Sequence, residues 1–87
     1  MKVVELTNVQ QRETPLLYRR TFTATAVLAH GSRTTDAKRV EFTLEHMPLG
    51  PVAVTVRFLD DLDYPVVPAA NALKKHIEKM QQNGDLR

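Results

Sequence analysis

A chain of 87 residues is long enough for one domain with a modest hydrophobic core. It contains no cysteine, which excludes disulfide bridges, thiolate nucleophiles and zinc sites built on sulfur, and which agrees with a reducing, cytoplasmic location. Twelve Lys or Arg residues oppose ten Asp or Glu residues, so the formal charge of +2 is too small to indicate a strongly basic protein. The first residues become charged at once, so we expect neither a signal peptide nor a membrane span there.

The charges are unevenly distributed along the chain. Residues 1–39 carry seven basic and three acidic side chains, a net charge of +4. Residues 40–64 carry one and five, a net charge of −4, and residues 65–87 carry four and two, a net charge of +2. Complementary segments of this kind can serve self-association as readily as an outside partner.

The first twenty residues predict a peripheral strand followed by a loop. Lys2–Leu6 is a short apolar run, which predicts a strand at a sheet edge. Thr7–Pro15 is polar and ends in a proline, so we expect a loop there. Arg19 and Arg20 then interrupt the chain before the next strand begins.

The segment TFTATAVLAH alternates between apolar and threonine-rich positions, which predicts a second strand. We expect it to pair with the next strand across a loop at Gly31–Ala37. A register that places Ala24 opposite Leu44 sets a small side chain against a large one. The same register places Thr25 opposite Thr43.

The central hairpin is the strongest pattern in the sequence. KRVEFTLEH and VAVTVRFL both alternate with a period of two, and MPLGP between them cannot continue a strand ladder. We expect Glu41 to face Arg57 across this hairpin. The side chains predicted to face the core are Val40, Phe42, Leu44, Val52, Val54, Val56 and Phe58.

One amphipathic helix is predicted from Pro68 to Gln82, where Asn83 and Gly84 form a C-terminal stop and residues 83–87 form a frayed tail. The predicted fold is therefore α+β: a small antiparallel sheet of three to four strands with one C-terminal helix packed on one face, in the order β-β-β-β-α. The helix stripe that covers the sheet is predicted to contain Ala69, Ala70, Leu73, Ile77 and Met80.

The last three strands and the helix resemble, in element order alone, the β-β-β-α half of double-stranded RNA-binding domains. The leading helix of those domains and a Gly/Lys-rich start of the final helix are not evident in this sequence.

The acidic run Asp60, Asp61 and Asp63 has the oxygen ligands that Mg²⁺ and Ca²⁺ prefer. It lacks the glycine and the glutamate that a calcium loop requires. The simpler interpretation is that these carboxylates solvate the bend between the last strand and the helix. A divalent cation site remains an alternative.

Catalytic signals are weak. His30 and His46 are expected at opposite ends of the same strand pair, and His76 borders the helix stripe, so they predict no shared site. Ser32 is the only serine, and an adjacent histidine in sequence is not a catalytic triad. We therefore expect a protein that is not an enzyme and that binds no cofactor.

Two kinds of binding remain. Basic side chains at strand ends and on the helix could meet the phosphates of RNA. The leading hypothesis is a small interaction module that self-associates or binds a protein partner through open strand edges and apolar surface. The candidate nucleic-acid or partner contacts are Arg19, Arg20, Arg33, Lys38, Arg39, Lys74 and Lys75, and the candidate apolar partner contacts are Leu16, Leu17 and Leu59.

Overall fold

The computed structural model describes residues 2–13, 18–30 and 34–86. It contains four strands, β1 (Lys2–Arg12), β2 (Arg19–His30), β3 (Thr34–Glu45) and β4 (Ala53–Phe58), followed by the helix α1 (Val66–Gln82). The strands form one antiparallel sheet in the order β1-β2-β3-β4, and α1 contacts the two outer strands, β4 and β1. The predicted α+β fold is confirmed.

The core lies between α1 and one face of the sheet. Phe42, Leu44, Leu73 and Ile77 are completely buried there, as the alternation of the strands and the helical stripe predicted. The rings of Phe22 and Phe42 stack with their centroids 5.0 Å apart. On the opposite face the side chains are exposed or partly exposed, because no described element covers it. We call this the open face.

The register of β2 against β3 differs from the predicted one. Ala24 lies opposite Val40, not Leu44, and Thr43 lies opposite Thr21, not Thr25. The strands are longer than predicted at the turn, since β3 already begins at Thr34, and only residues 31–33 separate it from β2. In the second hairpin, Glu41 faces Arg57 as predicted.

The start of the chain also differs. β1 continues through Thr7 to Arg12, where a loop was expected, because the polar side chains of an edge strand do not prevent its backbone from pairing with β2. Its ladder has irregularities between Val3 and Glu5 and between Thr7 and Gln10. β2 begins at Arg19, so the two arginines extend this strand and do not interrupt it.

The helix ends where the sequence predicted. Gly84 has φ 76°, and the Asp85 amide donates to the Met80 carbonyl at 2.9 Å while the Gly84 amide donates to the Gln81 carbonyl at 3.2 Å. These two bonds form a Schellman motif. The tail that follows was expected to be frayed, but Leu86 is 6% exposed and belongs to the core. Within the described ranges, no helix is long and apolar enough to cross a membrane.

Candidate functional site

The predicted basic residues lie on different sides of the molecule. Arg39 projects from the open face, whereas Lys38 and Arg20 alternate to the side of the sheet that carries the core. Lys74 and Lys75 are exposed on α1, which packs on that second side. The described members of the predicted basic set therefore do not form one continuous patch for nucleic acid.

Three of the predicted contact residues, Arg33, Leu16 and Leu17, lie outside the described residues. Arg19 is exposed at the start of β2, opposite Glu45 of β3. Leu59 follows β4 and is 41% exposed, so it is available as apolar surface.

Arg20 is partly buried against the core and is not a free surface charge. Its guanidinium carbon lies 5.6 Å from the centroid of the Phe22 ring, within the range of a cation–π contact. Its Nη2 donates to Oε1 of Gln81 at 3.4 Å. Its Nε is buried and has no hydrogen-bond partner in the part of the chain that the structure describes. Arg20 therefore joins the start of β2 to the end of α1.

Arg39 and Asp60 form a two-point ion pair on the open face. Nη2 and Nε of Arg39 donate to Oδ1 of Asp60 at 2.7 and 3.1 Å, and the Arg39 backbone amide donates to Oδ2 at 2.8 Å. The guanidinium and the backbone amide lower the pKa of Asp60 to about 2. The same hydrogen bond raises the pKa of Arg39. Asp60 is thus an acceptor for β3.

The other acidic and imidazole groups do not complete a site. Among the described residues, no group of three His, Asp or Glu side chains is arranged to hold a metal ion. His46 lies at the Tyr18 end of the β2–β3 pair, where its amide donates to the Tyr18 carbonyl at 2.7 Å, and His30 lies at the opposite end. The divalent cation site therefore gains no support from this arrangement.

A second ionic cluster spans the sheet. Oε1 and Oε2 of Glu41 accept from Arg57 at 3.3 Å and from Arg12 at 3.1 Å. Glu41 lies on β3, while the two arginines belong to β4 and β1. Three open-face arginines are therefore paired with carboxylates, which reduces the positive potential that this face could offer to phosphate groups.

The two edges of the sheet are unlike each other. β1 carries two ladder irregularities, and Asn8 between them has φ 53°, a left-handed conformation that asparagine tolerates better than most residues. Bulges of this kind prevent an edge strand from pairing with another chain. β4 pairs with β3 in an unbroken register from Ala53 to Phe58 and has no such irregularity.

The outward backbone groups of β4 can be identified from its pairing with β3. The Leu59 amide donates to the Arg39 carbonyl at 2.9 Å, so odd-numbered residues of the two strands bond to each other. The amides and carbonyls of Val54, Val56 and Phe58 therefore point away from β3. Within residues 2–13, 18–30 and 34–86, no strand pairs with this side of β4.

A groove runs beside this edge on the core side of the sheet. It has a volume of about 280 Å³ and lies between β4 and the last turns of α1. Val52 and Val54 form its apolar floor, and Glu78, Gln81 and Gln82 form its wall. An added strand would have both a backbone to pair with and a cavity for alternate side chains.

Apolar side chains are also exposed at the tip of the β3–β4 hairpin. Tyr18, Met47 and Leu49 are 52%, 47% and 93% exposed. Tyr18 and Met47 border a recess of about 510 Å³. This surface is a second place where a partner could pack.

The sequence analysis expected open strand edges but could not distinguish them. The bulges in β1 were missed, although an asparagine within a polar run, at Asn8, was the available signal. That β4 is outermost follows from the sheet order, which the alternation within one strand does not specify.

Comparison with curated proteins and with solved structures finds no match for this chain. The model of one protein family, the BB_0187 family, matches residues 1–82, which is nearly the whole chain. The protein therefore belongs to this family.

Proposed function

We propose that this protein is a non-enzymatic interaction module that binds a protein partner by accepting a strand at the outer edge of β4. The observation that carries the proposal is the difference between the two sheet edges: β1 is interrupted by bulges, whereas β4 is regular and unpaired on its outer side among the described residues. Strand addition to an exposed edge is a general mode of protein recognition.

The chemistry of the edge fits an extended segment. The amides and carbonyls of Val54, Val56 and Phe58 supply main-chain hydrogen bonds, which give affinity with little dependence on sequence. Alternate side chains of the added strand would enter the groove beside Val52, where apolar groups are favoured. The remaining side chains would extend the open face. The expected partner segment is therefore apolar at every second position.

Photo-crosslinking in cells that express the protein tests this proposal. A photoreactive amino acid at Thr55 lies beside the outer edge of β4, whereas one at Gln10 lies on β1 and serves as the matched control. Both positions are exposed. We expect covalent capture of protein from position 55 and little from position 10. Capture of RNA in place of protein, or capture from position 10 alone, would overturn the proposal.

A further inference from the structure

We infer that the strand received by β4 comes from β4 of a second copy of this chain, which joins two sheets into one of eight strands. This inference rests on the proposed function and names the partner. It follows from the pattern of the edge itself: the strand that offers outward backbone groups also has the apolar alternation that the neighbouring groove accepts.

The backbone restricts the register of such a pair. Because only even-numbered residues of β4 point their backbone groups outward, they must face even-numbered residues of the other copy. A two-fold axis at Val56 sets Val56 against Val56 and Val54 against Phe58 in both directions. All of these residues belong to β4, so the complete strand is used.

On the core side this register brings apolar side chains together. Val56 and Phe58 are only partly buried in one copy, although both pack against the core cluster. In the pair, Phe58 of one copy lies opposite Val54 of the other. Burial of the remaining apolar surface on both copies favours association.

On the open face the same register places Thr55 opposite Arg57 and Ala53 opposite residue 59. Leu59, which is 41% exposed, would then contact the other copy. Moving the axis to Arg57 would set two guanidinium groups against each other, which is unfavourable. Moving it to Thr55 would require Val52, which lies outside β4. The axis at Val56 avoids both problems.

Each copy has only one regular edge, so the assembly closes at two chains. The β1 edge, with Asn8 at φ 53° and two irregularities, does not offer an even ladder to a third copy. A two-fold interface of this kind uses the same surface on both partners and does not propagate into fibres. The inferred species is therefore a dimer.

Charge substitutions at Thr55 test the inferred register. Thr55→Lys places a cation opposite Arg57 at two symmetric positions, and the dimer should dissociate about two- to thirty-fold more readily. Thr55→Glu places an anion there, and dimerisation should be retained or strengthened. Gln10→Lys on β1 adds the same charge as Thr55→Lys at the other edge and should leave the equilibrium unchanged.

The measurement is sedimentation velocity from about 1 µM to about 1 mM protein, with folding of each variant checked by circular dichroism. Wild-type protein should approach the mass of two chains as concentration rises. A wild-type monomer at the highest concentration would overturn the inference. So would a Thr55→Glu variant as weakened as Thr55→Lys, or an equal loss from Gln10→Lys.

Hydrogen exchange separates failure of the dimer from failure of the proposed function. A synthetic peptide of residues 52–60 is added to folded Thr55→Lys protein, and exchange of the Val54, Val56 and Phe58 amides is followed by NMR. Protection of these amides supports strand addition at β4. Protection in a protein whose wild type stays monomeric would reject only the second copy as partner, whereas no protection together with a monomer would reject both proposals.

Discussion

Arg39 and Asp60 hold the segment after β4 against β3. The carboxylate receives both the guanidinium and the backbone amide of Arg39, so one aspartate replaces the strand partner that β3 would otherwise have at this point. The bend that follows β4 is therefore fixed by a side chain. The predicted solvating role of the acidic run thus takes a specific form at Asp60.

The pH dependence of this contact has a definite sign. The pKa of Asp60 is about 2 in the folded protein, below its ordinary value of 3.8. A carboxyl group with a depressed folded pKa stabilises the fold above its unfolded pKa and loses that contribution as pH falls toward the folded pKa. We expect the contribution of Asp60 to be complete above about pH 4 and to be lost by about pH 2.

Urea unfolding of wild type and Asp60→Asn between about pH 2 and pH 7 measures this effect. The free energy of unfolding of Asp60→Asn should be lower than that of wild type at neutral pH, and the two should converge in acid. Asp61→Asn, at the exposed neighbouring position, should follow the wild-type curve. A constant difference between Asp60→Asn and wild type over the whole range would contradict the assigned role.

At the scale of elements, the helix and the sheet depend on each other for burial. Leu73 and Ile77 are completely buried on the inner side of α1, and the strand faces they cover would otherwise meet water. Isolated helices of this length are marginal in water, so packing supplies most of the stability of α1. The sheet likewise needs a cover for Phe42 and Leu44.

Substitution of Ile77 by Ala should therefore destabilise the whole domain. Removal of a completely buried isoleucine side chain costs about 2–5 kcal/mol of unfolding free energy, a large share of the stability of a small domain. Lys74→Ala is an exposed control on the same helix and should change the free energy by less than about 0.5 kcal/mol. Chemical denaturation followed by circular dichroism gives both values, and similar losses would contradict the packing of α1 on the sheet.

The period of each element could be predicted from the sequence, but its pairing could not. Alternation identifies which face of β3 is buried, since Phe42 and Leu44 differ from Glu41 in polarity. It leaves open how far β3 slides along β2, because Ala24 can face either Leu44 or Val40 without burying a charge. Stacking of Phe22 on Phe42 selects the observed register, and such a contact between distant strands carries no local signal.

The same limit applies to the candidate binding edge. Sequence patterns indicated that some edge of the sheet would be open, and they identified β4 as a strand. They could not show that β1 is bulged around Asn8 or that Val54, Val56 and Phe58 present their amides outward. Both facts depend on which strand lies beside which, and therefore on the folded sheet.

At the scale of the whole molecule, folding joins the oppositely charged segments of the chain. Arg12 contacts Glu41, and Arg39 contacts Asp60, so both ion pairs join the basic residues 1–39 to the acidic residues 40–64. The separation of charge along the sequence is thus partly neutralised within one copy. Self-association therefore does not need to be driven by this charge separation, and the backbone and apolar groups of β4 are the better source of affinity.

A dimer through β4 makes thermal stability depend on protein concentration. Because association occurs only in the folded state, mass action raises the melting temperature as concentration increases. For a domain of this size we expect a rise of up to about 3–5 °C for each tenfold increase while the dimer predominates. Differential scanning fluorimetry across several concentrations measures this slope. The slope should be smaller for Thr55→Lys, whose dimer is weaker, and unchanged for Gln10→Lys. A wild-type melting temperature that does not change with concentration would mean that folding and strand pairing at β4 are not coupled, and would contradict the inferred dimer.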